Sequence, residues 1–159
     1  MDRSRTTKVV EKIPIFSGLS PNRLQKVLDI CSERSFRAGQ TVCEAGDESL
    51  EFYVILSGGM SVRTPAGLEL SVIGRMGVVG EMGVLTGQPR SARMVAVKDT
   101  TALSVRKDAL DRLVETDRDI GLHVYRNFAQ LLCDRLRRVN TYLEQFYFVV
   151  EDLTASPPE

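Results

Sequence analysis

The chain has 159 residues, with 21 basic and 21 acidic side chains, a formal net charge of zero, a single histidine and three cysteines. That length suits one well-cored domain that buries about 70% of its unfolded surface, and the charge balance excludes a global field drawing the chain to nucleic acid or an anionic membrane. Cys31, Cys43 and Cys133 are odd in number and widely spaced, which argues against a disulfide framework and against a zinc site, so reduced thiols in the cytoplasm are the expectation.

In chain order, residues 1–7 read as a flexible N-terminus and the domain as 8–150. No apolar run approaches the ~20 residues that span a bilayer, and the N-terminus has no apolar signal core, so no membrane attachment is expected. A short helix is predicted over Lys8 to Lys12, ended by Pro14. Ser20 then stands as a helix N-cap with Pro21 at the first helical position, ahead of an apolar stripe at Leu24, Val27, Leu28 and Cys31. Residues 8–32 are thus predicted helical.

From 33 to 106 the period changes. Short β-forming stretches recur at Ser35–Arg37, Thr41–Cys43, Phe52–Leu56, Met60–Arg63, Leu68–Ile73, Ser91–Val97 and Ala102–Val105, separated by turn residues, the spacing of a small antiparallel jelly-roll barrel. After Arg106 the helical period returns over 107–150. A short helix spans Lys107 to Val114 and a long one opens at Asp117 or Asp119. Its apolar positions Tyr125, Leu132, Leu136, Val139, Leu143, Phe146 and Val150 follow a heptad-like seam that serves either a homodimer or packing within the chain. Arg135, Arg137 and Arg138 read as a solvated face, and 151–159, with Pro157-Pro158, as a flexible tail.

The chemistry concentrates in 78–93. Gly80 lets backbone approach a ligand, and the residues after it can open a short helix whose free N–H groups point at an anion. Arg90 supplies a permanently charged fork that matches two phosphate oxygens, and Glu81 is an acceptor-only carboxylate suited to a sugar hydroxyl. One pocket would hold both ends of a ribose phosphate.

At Gly80, Glu81, Pro89, Arg90, Ser91 and Ala92 the sequence resembles the phosphate-binding cassette of the cyclic nucleotide-binding domain family, the module of catabolite activator proteins, protein kinase A regulatory subunits and cyclic-nucleotide-gated channels. Val79 stands where the family commonly has Phe, and Arg93, a second cation near the site, where it commonly has Thr. The spacing of Phe36, Gly39, Gly46-Asp47, Tyr53, Val54, Ile55 and Gly58 also resembles the family's barrel signature. The resemblance implies a mainly β fold with flanking helices and a ligand that is a 3′,5′-cyclic nucleotide. Arg90 would pair with the cyclic phosphate, Gly80, Ser91 and Ala92 would donate backbone N–H groups to it, and Glu81 would accept the ribose 2′-OH. The Ser91 hydroxyl leaves both purines open, with cAMP favoured over cGMP. Val62, Leu70 and Met82 would line an apolar wall, and Asn140, with Leu136 and Val139, resembles residues that cover the base in related domains. Arg138 is a further candidate to reach the base.

Rival classes are weak. A jelly-roll metalloenzyme needs converging histidines, which the lone His123 cannot provide, and no nucleophile-and-base motif is present, so neither an enzyme nor a metal or cofactor is expected. About ten residues follow Phe148, too few for a helix-turn-helix reader, so DNA is not an expected partner. The expectation is a stand-alone sensor that moves its C-terminal helix to signal to an effector protein or across a dimer. The alternative is a ligand-free interaction or dimerisation scaffold that keeps the barrel.

Overall fold

A computed structural model describes residues 10–155, and the predicted flexibility of 1–7 and of the last residues of the tail lies outside them. Of the helix predicted over Lys8 to Lys12, residues 8 and 9 also fall outside, Val10 is helical, and Glu11 and Lys12 form a turn. A 3-10 turn at Pro14–Phe16 follows, and then helix α1, Pro21–Asp29. Pro21 opens α1 because its missing N–H would find no partner at a first helical position anyway. Ser20 sits at the N-cap with extended backbone, but its side chain makes no capping bond.

Eight strands form two antiparallel four-stranded sheets. The first has the order β1 (Cys31–Phe36), β8 (Thr100–Arg106), β3 (Glu51–Ser57), β6 (Val78–Val79); the second has β2 (Thr41–Cys43), β7 (Arg93–Ala96), β4 (Gly59–Arg63), β5 (Glu69–Gly74). The sheets face one another as the predicted jelly roll without joining into one closed barrel. Strand β1 starts at Cys31, ahead of Ser35, so Cys31 belongs to the sheet and not to the α1 stripe. Its sequence, Cys-Ser-Glu-Arg-Ser-Phe, is exposed at its four central positions and shows no apolar alternation, so only its pairing with β8 marks it as a strand. Burial pushes the Cys31 thiol up to about 12, with Asp29 adding to the shift, which leaves it inert at neutral pH.

Strand β3 organises the core because both of its faces are buried. Successive side chains point to opposite faces, so Phe52 and Val54 join Leu103 and Val105 against the helices, while Tyr53 and Ile55 join Met60, Val79, Met94 and Ala102 between the sheets. The helical layer is α3, Lys107–Thr116, and α4, Arg118–Ala155, together with α1 and the 3-10 turn. Helix α4 is anchored at its base. Ile120, Val124 and Phe128 are buried, Phe128 meets Phe52 edge to face at 5.2 Å, and the Asn127 amide donates to the carbonyls of Ile15 (3.1 Å) and Ser17 (2.9 Å). Asp117, between α3 and α4, pairs with Arg23 (3.2 Å) and Lys26 (2.8 Å) of α1. A Cβ on Gly121 would lie 2.5 Å from Val114 Cγ1, so α4 approaches α3 where a larger residue would force them apart.

Beyond this base α4 leaves the body. It runs to Ala155, past Val150, because no helix breaker occurs before Pro157. Along that length Leu136, Val139, Tyr142, Leu143, Phe146, Tyr147, Phe148, Val149 and Val150 are exposed. Among the described residues no helix is long and apolar enough to cross a membrane, and no cluster of three metal-ligating side chains occurs.

Truncating Phe128 to Ala removes the ring that joins α4 to β3, and urea denaturation should show a loss of about 3–5 kcal/mol. A loss under about 1 kcal/mol, the scale of a peripheral change, would mean that α4 is held elsewhere.

Candidate functional site

The pairing of β6 with β3, Tyr53 with Val79 and Val54 with Val78, delivers the chain to Gly80 at the mouth of the sandwich. Gly80 has φ +82°, a conformation that costs an L side chain strain, and a Cβ there would run into Arg90 Nη1. The short helix α2, Glu81–Thr86, begins immediately afterwards.

Arg90 approaches from the other side and is 7% exposed. Its main chain is clamped by the β2–β3 loop: its N–H donates to Asp47 O at 2.8 Å, and its carbonyl accepts from Gly46 N at 2.8 Å. Its guanidinium donates from Nη1 to Gly80 O (2.8 Å) and from Nη2 to Glu51 O (2.6 Å), while Nε is buried without a partner. No carboxylate pairs with Arg90 among the described residues; the charge is held by carbonyl dipoles.

Glu81 is 1% exposed. Oε1 accepts from Nη1 of Arg135, whose Nη2 donates to Val78 O, and Oε2 is buried without a partner. An orphaned donor and an orphaned acceptor thus belong to two residues of one cavity wall. The hollow is small, with a cavity volume of about 60 Å³, and is open to solvent on one side.

Of the residues singled out in the sequence, Val62, Gly80, Glu81, Met82, Arg90, Ser91 and Ala92 all line this hollow. Met82 is exposed at its rim, Ser91 Oγ lies 3.9 Å from Met82 Sδ, and Ala92 is buried. Three others are not brought to it. Leu70 is 57% exposed on β5, which lies at the edge of its sheet. Arg138 and Asn140 are exposed on α4, which has already left the body at their level.

Arg135 corrects the reading of a solvated arginine face: it lines the hollow and ties α4 to the cassette. The signal for it lay in the helical period. Buried Ile120, Val124 and Phe128, and partly buried Leu131, step by four, four and three, and one further step of four places Arg135 on the same stripe. Val79, Met94 and Gly83 complete the wall. Val79, smaller than the Phe common at that position, is buried there. Arg93 stays out of the lining, with Nε 3.3 Å from Glu44 and Nη2 donating to Thr41 Oγ1 at 2.9 Å.

Comparison with known proteins adds an independent line. The family model described as the cyclic nucleotide-binding domain matches residues 33–117, more than half of the chain. Glutaminase 1 of Bradyrhizobium diazoefficiens is 31% identical over 91% of this chain, and a CRP-like cAMP-activated global transcriptional regulator of Mycobacterium tuberculosis is 26% identical over 89%. The chain spans only 23% and 63% of those two relatives. The crystal structure of Thermus thermophilus catabolite activator protein superposes with a TM-score of 0.71 at 31% identity, covering 85% of this chain and 63% of that one. With the match running from β1 to the end of α3 and the cassette residues gathered on one hollow, the chain belongs to the cyclic nucleotide-binding domain family.

Proposed function

We propose that this chain is a sensor whose hollow takes one 3′,5′-cyclic nucleotide, cAMP in preference to cGMP, and that α4 reports its occupancy. One observation carries the reading: Arg90 Nε and Glu81 Oε2 are both buried and unpartnered, in residues that line the same hollow. A buried polar atom without a partner costs about 1–3 kcal/mol. A ligand that offers an anionic oxygen to the guanidinium and a hydroxyl to the carboxylate removes both penalties together, and a ribose cyclic phosphate carries these groups on one small rigid frame.

In that arrangement Arg90 holds the phosphate, with main-chain N–H groups of Gly80, Ser91 and Ala92 as further donors. Glu81 accepts the 2′-OH on Oε2 while Oε1 keeps Arg135. Val62 and Met82 form the apolar wall. The preference for cAMP is supported by the description of the mycobacterial relative as cAMP-activated.

Arg135 is the coupling. It is a residue of α4 bonded to the first residue of α2 and to β6, so a ligand that draws on Glu81 changes the hold of the cassette on the helix. The ligand moves α4 only as far as it binds one helix position better than the other. The output passes through the exposed apolar length of α4, to a second copy or to an effector protein in the cytoplasm. We propose no catalysis, metal or nucleic acid for this chain; the glutaminase activity named for one relative belongs to a protein of which this chain covers 23%.

Calorimetric titration with cAMP and cGMP tests the reading. Wild type should bind, with cAMP tighter. Arg90→Ala should lose about 2–5 kcal/mol, the cost of removing one partner of a buried charged contact. The 2′-deoxy analogue should bind about 10-fold more weakly or worse, because Glu81 is left unpaired. Equal and negligible heats for wild type and Arg90→Ala would leave a ligand-free scaffold.

Arg135→Ala leaves the Glu81 carboxylate buried without its cation and should cost about 2 kcal/mol in urea. Amide exchange across 131–141 should quicken, whereas unchanged exchange would remove Arg135 from the coupling. If α4 joins two copies, Leu136→Glu with Leu143→Glu should shift sedimentation towards monomer; a monomeric wild type would direct the output to another protein.

A further inference from the structure

The first residue of β3, Glu51, lies outside the hollow's wall yet is bound to its arginine. By strand alternation Glu51 shares the inward face with Tyr53 and Ile55, opposite the face of Phe52 and Val54 that meets the helices. Both of its carboxylate oxygens are engaged by hydroxyls from two strands. Tyr53 Oη donates to Oε1 at 2.7 Å, and Ser104 Oγ of β8 donates to Oε2. Those donors are themselves fixed. Tyr53 and Ser104 are cross-strand partners, Ser104 is buried, and the Tyr53 ring stands edge-on to Phe36 at 5.5 Å.

Burial acts to raise the Glu51 carboxyl, but the hydroxyls of Ser104 and Tyr53 and the charges of Arg34 and Arg90 outweigh it, so it sits below its ordinary value and is ionised at neutral pH. An ionised, half-buried carboxylate that forms no ion pair within 4 Å among the described residues is an unusual expense for a fold. Its main chain shows what it does. Glu51 O accepts from Arg90 Nη2 at 2.6 Å, and the loop that leads into Glu51 holds the N–H and the carbonyl of Arg90 through Asp47 and Gly46. One loop therefore grips both the backbone and the head of Arg90, and the Glu51 carboxylate pins the end of that loop to two strands.

We propose that Glu51 is a positioning residue for Arg90: its carboxylate, locked by Tyr53 and Ser104, fixes the main-chain oxygen that aims the guanidinium. The role rests on the reading of Arg90 as the phosphate holder, but the geometry can be tested with no ligand present. Glu51→Ala removes the lock. Glu51→Gln keeps an oxygen acceptor and an amide that a rotated hydroxyl can meet, without the charge.

The experiment is arginine-selective nitrogen NMR on the ligand-free full chain, reading rotation about the Arg90 Nε–Cζ bond, followed by cAMP titration. Rotation should quicken about 10-fold in Glu51→Ala, as one hydrogen bond to a charged group is lost, and stay within about 3-fold of wild type in Glu51→Gln. Affinity for cAMP should follow the same order, and the Glu51→Ala effect should vanish on an Arg90→Lys background, since the two residues act through one contact. Ser104→Ala, which removes one of the two hydroxyls, gives an intermediate rotation rate and serves if Glu51→Ala does not fold. Unchanged Arg90 rotation in these variants, or additive losses with Arg90→Lys, overturns the proposal. Absence of cAMP binding in wild type overturns the sensor reading, while the rotation rates still decide the role of Glu51.

Discussion

A buried guanidinium that forms no ion pair among the described residues is the constraint that the rest of this structure serves. Arg90 is almost fully removed from solvent, and its charge is held by the carbonyls of Gly80 and Glu51. Desolvating a cation without an anion is costly, so the surrounding chain is built to supply dipoles. Gly80 is left-handed so that its carbonyl can face Arg90 without a Cβ in the way, β3 starts where its first carbonyl can be the second acceptor, and the β2–β3 loop fixes the arginine's own backbone. The two-sided burial of β3 gives these acceptors a rigid base.

The second charged group follows a different rule. Glu81 is more deeply buried than Arg90 but does have its cation, and that cation comes from a separate element, the long helix. The site is thus shared between a part fixed to the sandwich and a part carried by α4. The fixed part holds its cation by carbonyl acceptors; the carried part has an ion pair with one carboxylate oxygen to spare. A cyclic phosphate attached to a ribose would complete both halves, which is why the chemistry of the hollow and the family match of residues 33–117 lead to the same proposal.

How much of this could be read in the sequence depended on whether a residue acts through its side chain at fixed spacing. Gly80-Glu81 and Pro89-Arg90 are legible because a tight turn and a planar cation restrict which residue types can serve, and seven of the ten residues singled out meet at one hollow. Glu51 was not legible, because its contact with Arg90 is made by a carbonyl that every residue possesses. Arg135 was hidden by its neighbours: among Arg137 and Arg138 it looks like part of a solvated run, and only the phase of the buried stripe below it separates it. Leu70 lies exposed on an edge strand, where an apolar side chain does not by itself tell the inner face from the outer. Strand β6 has two residues and β1 no apolar alternation, so neither leaves a periodic trace.

Gly121 gives the long helix a mechanical character. Because α4 lies hard against Val114 there, and Asp117 ties the junction to Arg23 and Lys26, the start of the helix is held to both α3 and α1, and Phe128 and Arg135 extend that hold along it. Some twenty residues project past Arg135, about 30 Å of helix at 1.5 Å per residue. A deflection of about ten degrees at Arg135 would sweep the free end through roughly 5 Å, close to one helical turn. Under the proposed coupling, the exposed length from Leu136 onward would then act as the output arm of a lever whose input is the contact between Arg135 and Glu81.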